Sequence, residues 1–171
     1  MNKNFDSCLK YLFEEEGGYT NHPRDPGGMT NLGVTHIDWA AWIGHEPSEE
    51  EMKSLTKEMV APLYKKKYWD VCHCDELPSG VDYAVFDLAV NSGTARAAKY
   101  LQEIVGAKTD GVIGPQTLEI VGHVTPTTIV TEICDKRRDF IRAIRTYDVF
   151  GKGWEARISR VENRAFGMAS E

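Results

Sequence analysis

Three adjacent carboxylates, Glu14, Glu15 and Glu16, close an amphipathic stretch near the start of the chain, and only one of them sits where chemistry needs it. Phe5, Cys8, Leu9, Leu12 and Phe13 recur at three- and four-residue spacing, which predicts a helix with one apolar stripe. At about 100° per residue Glu16 falls near the centre of that stripe, Glu14 on the opposite side and Glu15 on the flank. Gly17-Gly18 stops the helix there. A carboxylate on an apolar face is expected to hold its proton, because desolvation disfavours the charged form and the negative end of the helix adds to the effect. That is the profile of a general acid. The competing reading is a partly exposed Glu at a frayed helix end.

A second acid follows nine residues later. Asp25 lies in H-P-R-D-P-G-G, whose two prolines and two glycines forbid helix and favour a short hairpin. Thr30, Leu32, Val34 and Ile37 then resume with β-compatible residues, before Trp39 and Trp42 open another helical run. Cleavage of an acetal needs an acid for the leaving oxygen and, across the sugar, a carboxylate that activates water or stabilises the cation. Glu16 and Asp25 can supply both.

E-G-G-Y followed by D-x-G-G-x-T-x-x-G-V resembles the amino-terminal signature of glycoside hydrolase family 108, N-acetylmuramidases found among phage endolysins. The resemblance implies that Glu16 is the catalytic acid. By similarity to phage-type lysozymes, where an Asp and a Thr after the catalytic Glu position the attacking water, Asp25 and Thr30 take those roles, with Thr35 a rival for Thr30. Tyr19 and Asn31, inside the same signature, are the expected substrate-binding residues of this end of the chain.

The rest of the chain reads as helical support. Ser48 and Glu51 form a capping box, and Thr56 begins another helix in which Pro62 is either early or a kink. Tyr64, Tyr68 and Trp69 are either core or a sugar-stacking platform, with Tyr68 the candidate carried forward. Val81 to Val90 is nearly all apolar on every side, and so predicts a buried central helix; two polar residues, Asp87 and Asn91, four apart, share a face and need partners or a ligand. Asn91 either reaches sugar N-acetyl or hydroxyl groups or caps the helix. Thr94 is expected to cap the next helix, which Gly106 ends. Asp110-Gly111 marks a turn, Gly114-Pro115 a helix start, and Thr125-Pro126 the start of a helix reaching about Tyr147. A break at Gly151-Lys152-Gly153 then leads into a last helix. F-D-L-A-V-N-S-G, Y-L-Q and the Asp110 turn together resemble the predicted peptidoglycan-binding region that usually follows the family's catalytic region. That places a catalytic region at 1–90 and a binding region at 91–171, expected to pack as one lysozyme-like unit.

With 171 residues, 42% of them hydrophobic and 27% charged, one well-packed domain is feasible. The four cysteines, Cys8, Cys72, Cys74 and Cys134, lack the second ligand pair of a zinc site, and Cys8 and Cys134 read as small buried thiols. No metal and no cofactor is expected. Net charge is −6, unevenly spread: residues 136–171 hold nine Lys or Arg against five acids, a net +4. Residues 1–135 hold 11 against 21, a net −10. The basic end is either attracted to a polyanion or a solvated helix face carrying Lys136, Arg137, Arg138, Arg142 and Arg145. Nucleic acid is not an expected partner for an acidic chain with no recognisable binding motif. Without an apolar run long enough for a signal peptide or membrane span, the protein is expected to be a monomer that collects in the cytoplasm, without stable membrane association, until a holin-type partner releases it to the wall.

The expected fold is therefore mainly α, an α+β lysozyme-like helical globule with a small β-hairpin lobe beside a catalytic cleft. The expected activity is hydrolysis of the β-1,4 bond between N-acetylmuramic acid and N-acetylglucosamine in bacterial peptidoglycan. Two alternatives stand beside it: a lytic transglycosylase, which would use the substrate's own hydroxyl and make Asp25 dispensable, and a noncatalytic wall-binding protein.

Overall fold

The computed structural model describes residues 4–21 and 28–171. Its elements are α1 (Phe5–Glu15), β1 (Thr30–Asn31), β2 (Val34–Thr35), α2 (His36–Ile43), α3 (Glu49–Lys53), α4 (Lys57–Tyr64), a π-helical turn (Lys65–Trp69), a 3₁₀ turn (Cys74–Glu76), α5 (Val81–Ser92), α6 (Thr94–Val105), α7 (Pro115–Val121), α8 (Pro126–Arg142) and α9 (Tyr147–Ala169). The fold is mainly α and lysozyme-like, with a single two-stranded antiparallel sheet among the described residues. The chain divides into two compact units, residues 6–67 and residues 68–171 with 4 and 5. That division falls within the π-helical turn, not near residue 90, because α5 packs with α6, α8 and α9 and belongs to the larger unit.

In the smaller unit the predicted stripe is buried: Cys8, Leu9, Leu12 and Phe13 are each at most 9% exposed. The Phe13 ring meets Tyr64 of α4 edge-on, 5.7 Å between centroids. Register pairs Thr30 with Thr35 and Asn31 with Val34, and the two residues between the strands, Leu32 (φ 53°) and Gly33 (φ 79°), both take the left-handed conformation that a tight two-residue hairpin demands. The segment 22–27, where the sequence suggests a hairpin of its own, lies outside the described residues, as does Asp25. The chain on either side of it pairs: Thr20 and Thr30 exchange two backbone hydrogen bonds of 2.8 and 2.9 Å.

Ile37, read as strand-compatible, instead lies in α2, since Thr35 already caps that helix by accepting from the Asp38 N–H at 3.1 Å. Ser48 caps α3 through the Glu51 N–H, while the Glu51 carboxylate lies 3.4 Å from His45 Nε2. Thr56 caps α4 through the Met59 N–H. Pro62 sits inside α4, where it offers no N–H to the helix ladder, and the π-helical turn begins three residues later.

In the larger unit every residue from Val81 to Ala89 is buried, as the all-round apolar pattern requires. Gly80 begins α5 at φ 90°, and a Cβ there would run into the Ala165 carbonyl, so α9 passes against bare backbone at this point. Asp82, 2% exposed, accepts from the Gly80 and Tyr83 N–H groups and from Asn4 Nδ2. Burial pushes its carboxyl above the usual range despite those bonds. Trp69 packs edge-on against Phe5 and Phe86.

Three sequence readings are corrected here. Gly93, at φ 97°, is the residue before α6, and Thr94 is already its first residue with no side-chain cap. The break between the last two helices comes at residues 143–146, and α9 runs straight through Gly151 and Gly153. Gly151 is buried under the Tyr147 ring, which a Cβ would strike, so it makes room for packing and does not stop the helix. The basic end is not simply a solvated face: Arg137 is 4% exposed, and Lys136, Arg138 and Arg142 pair with Glu103, Glu162 and Glu155.

All four cysteines are buried and none is in a disulfide, and burial pushes the Cys134 thiol up to about 12. A fragment of residues 1–90 would keep most of α5 while removing α6, α8 and α9 that cover it. Expressed alone it is expected to be insoluble or molten; a sharp melting transition with dispersed amide signals would contradict this.

Candidate active site

Helix α1 delivers Glu16 to its own C-terminal end, where the Glu16 N–H still donates to Leu12 O at 3.0 Å. Glu16 is half-buried, Glu14 exposed and Glu15 half-buried. Gly17 and Gly18 are exposed, with nothing within 4 Å of where a Cβ would stand. The helix therefore ends in exposed chain immediately after this carboxylate.

The hairpin supplies the surface against which that carboxylate rests. A Cβ placed on Gly33 would lie 3.0 Å from Glu16 Oε2 and 2.5 Å from the Tyr64 hydroxyl. Backbone, acid and phenol thus converge on one point. Tyr64, 1% exposed, is anchored there because its hydroxyl donates to Leu32 O at 2.6 Å. Gly33 is required twice over, by its positive φ and by the absence of room. Gly33→Ala is expected to cost activity on the order of 10²-fold, the effect of about 1 Å of misplacement at a reacting group, and to lower stability as well, because the left-handed φ and the anchored Tyr64 hydroxyl both resist a Cβ. Wall-clearing rates and a melting curve measured on the same sample test this; full activity would show that Glu16 does not depend on the turn.

The other candidates in this unit have definite positions. Thr30 is half-buried on β1 and its hydroxyl lies 2.6 Å from that of Thr20. Thr35, its rival, is occupied as the cap of α2. Tyr19 donates its hydroxyl to Glu49 Oε1 at 3.2 Å, with Lys53 Nζ 5.3 Å from its ring centroid. Desolvation, followed by the neighbouring Glu49 carboxylate, raises its phenol. Asn31 is 6% exposed and donates to the Met52 and Lys53 carbonyls at 2.8 and 3.4 Å, which ties β1 to the end of α3. Its amide nitrogen is thus occupied in holding the hairpin.

Tyr68 and Asn91 belong to the larger unit. Tyr68 is half-buried in the π-helical turn, whereas Tyr64 and Trp69 are core, so the three aromatics do not form the exposed platform that their spacing allowed. Asn91 is exposed on the last turn of α5 and its Oδ1 accepts from Arg137 at 3.5 Å. The residue that follows α5 is Gly93. Asp87, fully buried, receives Arg137 Nη1 at 2.8 Å and Arg157 Nη2 at 3.1 Å, which gives this polar face the partners it needed. Burial alone would raise its carboxyl, but the two guanidinium groups outweigh that and hold it below the usual range. No cluster of three or more His, Cys, Asp or Glu suited to a metal occurs among the described residues.

Sequence reasoning did not place Gly33 or Tyr64 beside Glu16. Gly33 carried only a turn signal within the quoted motif, and Tyr64 was read as core or as part of a sugar-stacking platform.

Comparison with known proteins converges on the same region. The family model described as Glycosyl hydrolase 108 matches residues 9–93, which contain Glu16, Gly33 and Tyr64. The solved structure of Brucella abortus SagA is 42% identical over 100% of this chain and 98% of that chain, with a TM-score of 0.89. No curated protein sequence matches the chain.

Proposed function

Because the chain belongs to the glycosyl hydrolase 108 family, we propose that it is a muramidase that hydrolyses the β-1,4 bond between N-acetylmuramic acid and N-acetylglucosamine in peptidoglycan. Glu16 protonates the leaving glycosidic oxygen. The observation that carries this reading is the Glu16 carboxylate at the open end of α1, set against Gly33 and the anchored Tyr64 hydroxyl. Asp25 activates water or stabilises the developing cation, and the Thr30 hydroxyl helps to position that water. No helix among the described residues is long and apolar enough to cross a membrane. The delivery we envisage is through a lesion made by a separate membrane protein, and the larger unit contributes to holding the wall.

Purified peptidoglycan incubated with the protein tests the reaction. Mass spectrometry should find new reducing N-acetylmuramic acid ends. Anhydro ends would replace hydrolysis with transglycosylation, and an intact wall that nonetheless binds the protein would remove catalysis altogether. Asp25→Asn is expected to slow reducing-end release by on the order of 10²-fold or more, the range for general acid–base steps. An unchanged rate would show that Asp25 does not act on the water.

A further inference from the structure

The larger unit contains a cavity that the chemistry at Glu16 does not use. Its volume is about 360 Å³, within the range of small-molecule sites. Arg96, Arg137 and Arg157 line it, and no acidic side chain does. Asp87, buried behind them, is a carboxylate that binds both Arg137 and Arg157. Arg96 lies with its guanidinium carbon 4.2 Å from the Phe140 ring centroid, an arrangement that uses the face of the guanidinium and leaves its N–H edges for an acceptor. The remaining wall is largely apolar, with Leu88, Ile141 and Trp154 contributing.

Guanidinium groups match planar carboxylates through paired hydrogen bonds, and the Arg96 edge opens beside apolar wall. A bare inorganic anion would satisfy the arginines but leave the apolar wall wet. We propose that this cavity binds an organic carboxylate with a compact apolar body, the carboxylate meeting the arginines and the body lying against Trp154. The carboxyl terminus of a wall peptide and a free N-acylated amino acid present the same chemistry. The site is independent of the reaction at Glu16.

Calorimetric titration of the full chain tests it, with N-acetylphenylalanine and N-acetyl-D-alanyl-D-alanine as probes, N-acetylphenylalaninamide as the uncharged control and inorganic phosphate as the bare anion. At least one acid is expected to bind saturably at one site, and the amide about tenfold or more weaker, since loss of a charge-assisted bond is worth at least that factor. Arg96→Gln should weaken the acid by about tenfold, and Glu16→Gln should leave binding unchanged, which separates this site from the reaction. Tighter binding of the dipeptide assigns the site to wall peptides, and of N-acetylphenylalanine to free acids. Absence of binding by either acid, equal binding of acid and amide, indifference to Arg96→Gln, or phosphate binding as tightly as the acids would overturn the proposal.

Discussion

Glu16→Gln is expected to lose between about 10² and 10⁴ of the wall-clearing rate while keeping the melting temperature of the parent, because the amide preserves shape and contacts but has no acidic proton to give. The adjacent carboxylates provide an internal control of unusual economy. Glu14 is exposed and Glu15 half-buried, and of the three carboxylates it is Glu16 whose oxygen lies among the atoms nearest the Gly33 turn. Glu14→Gln and Glu15→Gln should therefore clear permeabilised cells at close to the parental rate. The discriminating measurement is turbidity loss for all three variants at equal concentration, with circular dichroism to show that each is folded. Activity in the Glu16 variant comparable to that of the other two would remove it from the acid's role. The Gly33→Ala result bears on the same point from the opposite side, since that change keeps the acid's chemical identity and disturbs the turn that packs against it.

How far the sequence carried the site depended on how local each signal was. Glu16 could be picked from three neighbours because helical periodicity is a property of the segment itself, and the buried stripe of Cys8, Leu9, Leu12 and Phe13 follows it. The caps at Ser48 and Thr56 and the Pro115 and Pro126 helix starts were legible for the same reason. Tyr64 was not, since its hydroxyl acquires a role only when α4 meets a turn some thirty residues earlier. The tie made by Asn31 was equally invisible, since its amide nitrogen donates to the carbonyls of 52 and 53, some twenty residues away. The glycines of α9 illustrate a tertiary effect overriding a local one. Gly costs a helix interior up to about 1 kcal/mol relative to Ala, but at Gly151 it leaves the Tyr147 ring the space it occupies. The pairing of Arg137 with Asp87, fifty residues apart, had no sequence signal beyond the requirement that Asp87 find some partner.

Breaking that pairing is expected to be among the most destabilising single changes in the larger unit. Asp87→Ala would leave Arg137 and Arg157 facing each other without the carboxylate between them, and removing one partner of a buried ion pair typically costs about 3–5 kcal/mol. Asp87→Asn keeps the shape and isolates the charge. Since the folded-state carboxyl is held below its ordinary value of 3.8, its contribution is present in full above that value and is lost as pH falls through and below it. Asp82, whose carboxyl burial raises, acts in the opposite sense, so the pH dependence of the parent alone mixes the two. The difference between parent and Asp87→Asn removes the shared Asp82 contribution. Urea unfolding of both proteins should show a wide gap at pH 7 that narrows progressively below about pH 4. A gap that stays constant across that range would mean that the destabilisation comes from lost packing and hydrogen bonding, and that the charge on Asp87 does not hold the two arginines in place.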